Sequence, residues 1–416
     1  MNQNSTISSK LVLHHVGGRR GSVSFPIPEK FETDIINVLY EADASCIEQI
    51  KTRWSQNQAQ TEVYPYCLSD KVGHCEFHLN YDPYTSSIYS FNEKYKDYYY
   101  PYPGSGMDYV LGDSCQAVQT LTLDTTTLDT IIAEGKVVAP DFLSLDTQGS
   151  ELDILKGAQI CLEDHVSALL IEVEFHSIYK NQPLFHDLCA FLNPLGFELV
   201  DLNLAERYPL RGKWGIRGEG LPTDGEALFF KAPEAIKGLS KGERALQLNK
   251  LAFIALMFNR FEYMQLCMND PGFQKLENQN HYLQLISVIE QVLKQLPERP
   301  FPIFSDKFSV EASKARFENA TSTPRCLKGR LRQIAMKSEP LKRCWIFLRR
   351  LKAIEKALKS KVTTYWKSLS LSYHSIKIRK TVSSFEQLLI DNQLNHQYEV
   401  IVKNRIIDTL IYKKKV

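Results

Sequence analysis

Pro140-Asp-Phe-Leu-Ser-Leu-Asp-Thr-Gln-Gly-Ser-Glu-Leu-Asp-Ile-Leu-Lys-Gly-Ala158 reads as a strand, a turn and a helix in succession. The run Asp141–Asp146 is a buried strand that ends on a carboxylate, and a short polar turn follows it. A helix is expected to begin near Gly149-Ser150-Glu151 and to stop near Gly157. In open α/β sheets ligands sit at the carboxyl ends of strands, so an acid at that point is a candidate site residue. Asp146 also suits the start of the helix, where carboxylates cap free N–H groups and meet the positive end of the helix dipole. Both readings stand for Asp146, and the same pair applies to Glu151 in the first turn.

Outward from this segment, short apolar runs alternate with helical patterns from Leu11 to about Lys231. Candidate strands are 11–15, 36–41, 62–69, 75–80, 117–123, 141–146, 168–174, 197–202 and 227–231. Helical patterns lie near 44–56, 127–133, 152–162 and 184–195. Such alternation predicts a mostly parallel sheet covered on both faces. The loop 81–114 holds six tyrosines between Tyr89 and Tyr102, which either line a substrate-facing surface or pack the loop down. After Ala232-Pro233 the pattern becomes helical, at 240–258 and 281–296, with a linker expected at 297–302.

Charge divides the chain more sharply than its net +2 suggests. Residues 1–234 carry 17 Lys and Arg against 33 Asp and Glu, whereas residues 325–380 carry 17 against 2. An acidic domain and a basic segment therefore share one chain, which points to different partners or to each other. The basic segment interleaves with Trp345, Phe347, Leu348, Leu351 and Leu358, as interfacial helices do on anionic membranes. Other readings are docking onto a phosphorylated substrate or the acidic domain, and a solvated basic helix in a small bundle. Charge alone admits nucleic acid, but no recognition module accompanies it, so nucleic acid is not an expected partner.

The nine cysteines form no Cys-x-x-Cys pair, so reduced thiols are expected rather than a disulfide framework or zinc site. No apolar run of membrane-spanning length occurs, and the first ten residues lack an apolar signal core. The expected location is the cytoplasm, with the basic segment at the inner membrane face.

Three further strand ends carry residues suited to an adenosine-containing ligand. Leu11–His15 runs into Val16-Gly17-Gly18-Arg19-Arg20-Gly21, a turn whose small residues let backbone approach a ligand closely. The second strand ends at Glu41-Ala42-Asp43, and an acid there can accept both hydroxyls of a ribose. The third ends in Cys67-Leu68-Ser69-Asp70, a small polar patch suited to adenine. His176 follows Glu174 at the same edge, and an imidazole with an unperturbed pKa of about 6.5 suits proton removal near neutrality. A structural histidine is the alternative. No ligand spacing demands a metal ion.

Taken in order, these residues resemble the FkbM family of S-adenosylmethionine-dependent methyltransferases. The resemblance covers roughly residues 11–231: His15-Val-Gly-Gly-Arg-Arg-Gly21, Glu41-Ala-Asp43, Leu68-Ser-Asp70, Ser86-Ser87 and Leu121-Thr-Leu-Asp124. After the Asp146 segment come Ile171-Glu-Val-Glu-Phe175, Ile178-Tyr179, Gln182-Pro-Leu-Phe185, Gly196-Phe197 and Glu226-Ala-Leu-Phe-Phe230. His15 departs from the family pattern, which has an acid that helps to hold the cofactor's amine.

The resemblance implies an α/β fold: a doubly wound, mostly parallel seven-stranded methyltransferase sheet over residues 1–233. A helical domain, 234–324, and a basic helical segment, 325–416, then form an α-helical C-terminal region. The implied cofactor is S-adenosyl-L-methionine, held by His15, Gly17, Gly21, Glu41, Leu68, Asp70 and Asp146, with Asp146 and His176 at the reacting centre. The implied activity is O-methylation of a small-molecule or glycan acceptor, a hydroxyl of a sugar or secondary metabolite, in bacterial polysaccharide or metabolite assembly. The alternative is a catalytically inactive methyltransferase fold, with His15 marking a lost cofactor site and the basic C-terminus binding a membrane or partner.

Overall fold

The computed structural model describes residues 9–17, 25–42, 46–55, 59–101, 108–209, 219–236, 240–276 and 280–295. Gly21, Asp43, the linker 297–302 and the basic segment 325–380 lie outside the described residues.

Twelve strands are present among them: β1 Leu11–Gly17, β2 Ile35–Tyr40, β3 Gln60–Tyr64, β4 Cys67–Leu68, β5 Gly73–Asn80 and β6 Tyr99–Pro101. The others are β7 Asp108–Val110, β8 Ala117–Thr126, β9 Phe142–Asp146, β10 Ala168–Glu174, β11 Phe197–Arg207 and β12 Leu221–Lys231. Seven of them form the main sheet, in the order β11-β12-β10-β9-β1-β2-β3. The five strands from β3 to β10 are mutually parallel, and β12 runs antiparallel to both β10 and β11. The order reverses beside β1, and such a switch point opens a crevice at the carboxyl ends of the strands.

Two expected strands do not belong to this sheet. β5 and β8 pair antiparallel, and with β4 they make a separate three-stranded sheet. The long strand expected over 62–69 is likewise split between β3 and β4. Pro65 falls at the break, where a residue without an N–H cannot continue the ladder.

The helices are α1 Ile47–Trp54, α2 Leu111–Ser114, α3 Leu128–Ala133, α4 Glu151–Lys156, α5 Gln159–Asp164 and α6 Phe185–Leu192. Three more follow the last strand: α7 Lys241–Met257, α8 Phe261–Asn269 and α9 His281–Gln295. Leu128, Ile131, Leu155, Leu162 and Leu188 from α3–α6 pack on one sheet face with Val12, Val38, Leu143, Ile171 and Phe229. Each such side chain removed from water contributes about 1.5–3 kcal/mol before the entropy of ordering is set against it.

The opposite face is closed by α7 and the residues around it. Phe253 of α7 meets Phe31 and Tyr282, and Phe258 just beyond it meets Phe25, Phe142 and Phe230. A reciprocal capping box starts α7: Ser240 Oγ accepts from the Glu243 N–H and Glu243 accepts from the Ser240 N–H. Lys250, midway along α7, is buried and reaches both carboxylate oxygens of Asp141 at 2.8 and 2.7 Å. The helical residues after 233 thus provide a second covering layer. No helix among the described residues is long and apolar enough to cross a membrane.

Candidate active site

Four strand ends converge on one cavity at the carboxyl edge of the sheet. Val16 and Gly17 come from β1, Tyr40 and Glu41 from the end of β2, Cys67 and Leu68 from β4, and Asp146 from β9. Thr147, Gln148 and Ser150 of the following turn complete that wall, and Tyr66, Phe77, Tyr84 and Ile154 supply aromatic and apolar surface. The space is about 720 Å³ including its open mouth.

Close backbone approach explains the two glycines that frame it. Gly17 has φ +80°, and a Cβ there would lie 1.8 Å from the Asp146 carbonyl oxygen. Gly157, which ends α4, would put a Cβ 2.0 Å from the Ser69 carbonyl oxygen. Side chains at these points would part β1 from β9 and α4 from the end of β4. Only glycine allows the strand ends to meet so tightly.

The turn after β9 is built around a buried carboxylate. Glu151, 1% exposed, accepts the Thr147 N–H at 2.7 Å, the Thr147 hydroxyl at 2.9 Å and the Gly149 N–H at 3.0 Å. Its role in the turn is therefore anchoring, and burial pushes its carboxyl pKa up. Gln148 adopts φ +59°, a left-handed conformation rare for a side-chain-bearing residue. Ser87 Oγ donates to its carbonyl at 2.7 Å, and Tyr179 Oη donates to its Oε1 at 3.2 Å. Its Nε2 donates to Asp146 Oδ1 at 3.1 Å and also to Glu172 Oε2.

Several tyrosines of the loop pack down against the domain. Tyr89 donates to Asp153 of α4 at 2.5 Å, and Tyr95 sits in a small core with Leu111, Cys115, Ile178 and Tyr179. Tyr95 and Tyr99 are each 3% exposed. Tyr84, by contrast, lines the cavity and is half exposed.

Gly17, Glu41, Leu68 and Asp146, all singled out in the sequence, share this cavity. Asp70 lies just outside it, exposed, accepting the Ser69 hydroxyl at 3.2 Å. His15 is two residues deeper in β1, 2% exposed, its ring 6.2 Å from that of Phe142 and without a hydrogen-bond partner among the described residues. His176 is half-buried, edge-on to Tyr95 at 6.0 Å, and is not among the lining residues.

Residues missed in the sequence are Gln148, whose left-handed turn has no local signature, and Tyr66, which stacks on Tyr64 at 5.6 Å. Glu172 was quoted only as part of a motif. The seven cysteines among the described residues are all free. The same residues contain no trio of His, Cys, Asp or Glu arranged to hold a metal ion.

Residues 15–199 match the model of the methyltransferase FkbM domain. Among solved structures, methyltransferase FkbM from Methylobacillus flagellatus KT aligns with 54% of this chain at 15% identity and a TM-score of 0.28. The chain covers 44% of that protein's length. A SAM-dependent methyltransferase from Methanosarcina mazei aligns over 54% of this chain and 94% of its own, at 9% identity and TM-score 0.24. The 23S rRNA methyltransferase ErmE aligns over 69% and 93%, at 11% identity and TM-score 0.23. No curated protein matches the chain.

Proposed function

We propose, residues 15–199 being a methyltransferase FkbM domain, that the chain is an S-adenosyl-L-methionine-dependent O-methyltransferase. Its acceptor is a hydroxyl of a sugar, glycan or secondary metabolite. The observation that carries this reading is the convergence of Gly17, Glu41, Leu68 and Asp146 on one cavity at the strand ends. The lining fits an adenosine-containing group. Gly17 brings backbone without a side chain to the cavity wall, and Glu41 lines it with a carboxylate able to accept from a ribose hydroxyl. Leu68, Tyr66, Phe77 and Ile154 offer apolar and aromatic surface to adenine.

S-adenosylmethionine, when bound, supplies an electrophilic methyl group. The chain supplies orientation and field. Asp146 would place its carboxylate beside the sulfonium, and Glu151 holds the turn that follows Asp146. Methyl transfer is an in-line displacement, so most of the acceleration comes from aligning acceptor oxygen, methyl and sulfur.

Glu41→Ala is expected to weaken S-adenosylhomocysteine binding by about 1.5–3 kcal/mol, the worth of a charged hydrogen-bond pair. That is tenfold or more in Kd, read by calorimetry. A variant that binds as well as the parent would show the ribose to be misplaced. Binding of neither S-adenosylmethionine nor S-adenosylhomocysteine to the parent would favour a scaffolding role instead.

For the basic residues 325–380 we propose an anionic membrane surface, at the inner face of a cytoplasmic membrane, as partner. The support is their charge and interleaved aromatics. Co-sedimentation of the full chain with vesicles should require phosphatidylserine or another anionic lipid and should fall as salt rises. Equal sedimentation with neutral vesicles would sink this idea.

A further inference from the structure

We propose that Glu172, rather than His176, takes the proton from the acceptor hydroxyl, and that Gln148 positions it for this. The inference rests on the methyltransferase reading above.

The register of the sheet brings Glu172 to the reacting edge. Leu145 of β9 pairs with Ile171 of β10, so Asp146, the last residue of β9, lies beside Glu172, two residues before the end of β10. Glu172 in turn pairs with Glu226 of β12. The donor cavity lies on the β1, β2 and β4 side of Asp146, and Glu172 lies on the other side. In-line transfer demands an acceptor on the side of the methyl away from sulfur, and a donor held in this cavity with its methyl toward β10 would present it to Glu172.

Gln148 joins the two places. One amide nitrogen donates to both Asp146 and Glu172, while Ser87 and Tyr179 hold the residue in its left-handed conformation. A side chain that lines the donor cavity therefore also fixes the carboxylate beyond it.

The chemistry balances without a further reagent. The acceptor oxygen forms a bond to the methyl carbon, the methyl–sulfur bond breaks, and sulfur keeps the electron pair. The acceptor proton passes to Glu172 and then to water. A base must be ionised to do this, yet burial together with Asp146, Glu174 and Glu151 holds the Glu172 carboxyl well above its ordinary range. Among the described residues, Arg207, paired with Asp224, is a cation that feels Glu172, and Tyr179 and Glu226 also lie beside it. An arriving sulfonium adds positive charge beside the group and favours its ionisation. Donor binding would thus arm the base.

The test is calorimetric titration of the full chain with S-adenosylmethionine and with neutral-sulfur S-adenosylhomocysteine, in buffers of different ionisation enthalpy over about pH 5–8. Linkage requires a binding event that lowers a carboxyl pKa to release protons. The parent is expected to release more protons with S-adenosylmethionine than with S-adenosylhomocysteine. Glu172→Gln should abolish that difference while leaving S-adenosylhomocysteine affinity unchanged, and Glu172→Asp should restore it. Thermal melts confirm that each variant is folded. If both ligands bind and the parent and Glu172→Gln release protons equally, Glu172 is structural and the inference falls while the methyltransferase reading survives. Binding of neither ligand would overturn both.

Discussion

Lys250→Met is expected to lower the free energy of unfolding by about 3–5 kcal/mol, because it strands a buried carboxylate. Lys250 is 1% exposed, and Asp141 is 4% exposed. The ammonium holds both oxygens of Asp141, which also accepts the Val12 N–H at 2.8 Å. Burial already raises the Asp141 pKa despite its partner. Without Lys250 it would rise further, and a carboxyl whose folded pKa exceeds its unfolded one costs stability above the unfolded value. That cost fades as pH falls and the group protonates. The deficit should therefore be larger at pH 7.5 than at pH 5, read as a difference in urea-unfolding free energies at each pH. A deficit below about 1 kcal/mol at both would mean that desolvating the pair consumes nearly all of its attraction. The loss would reach the site as well. Asp141 immediately precedes β9 and holds β1 through Val12, and these are the strands that end at Asp146 and Gly17.

The second large effect is loss of stability in acid from the paired histidines of β1. His14 and His15 are buried, and desolvation lowers each pKa from 6.5 to about 3. A histidine depressed in the folded state costs nothing above its unfolded pKa. It destabilises as pH falls below 6.5, because the unfolded chain takes up the proton first. At about 1.36 kcal/mol per pH unit, each histidine removes about 2 kcal/mol between pH 6.5 and 5, or about 4 kcal/mol for the pair. Glu172 and Glu174, with raised pKa values, pull the other way over part of this range. Comparison of variant with parent at each pH separates the contributions. His15→Leu is the informative change, since neither ring nitrogen has a hydrogen bond to lose among the described residues, whereas His14 Nδ1 lies 3.1 Å from Tyr40 Oη. Its stability should decline with acid by about 2 kcal/mol less than the parent's. Parallel pH profiles would show that His15 is not held neutral by burial.

Much of the site could be read locally. The run Phe142–Asp146, the polar turn and the helix start at Glu151 follow from apolar spacing and end chemistry within one short segment. Glu41 and Leu68 were legible for the same reason, each closing a short apolar run. His15 was read from its position as a cofactor residue, but a strand's direction does not reveal its depth. The aromatic layer of Phe142 and its neighbours encloses the ring.

The sequence by itself determined the strand–helix alternation, the family resemblance and the acids and glycines at strand ends, because periodicity and turn chemistry act over a few residues. Only the tertiary structure decided that β5 and β8 form a sheet apart, that Glu172 stands beside Asp146, and that α7 covers the second face. Those outcomes rest on pairings such as Asp141 with Lys250, 109 residues apart. Such contacts form through burial and register across the whole chain, and neither leaves a mark on the local pattern at either end.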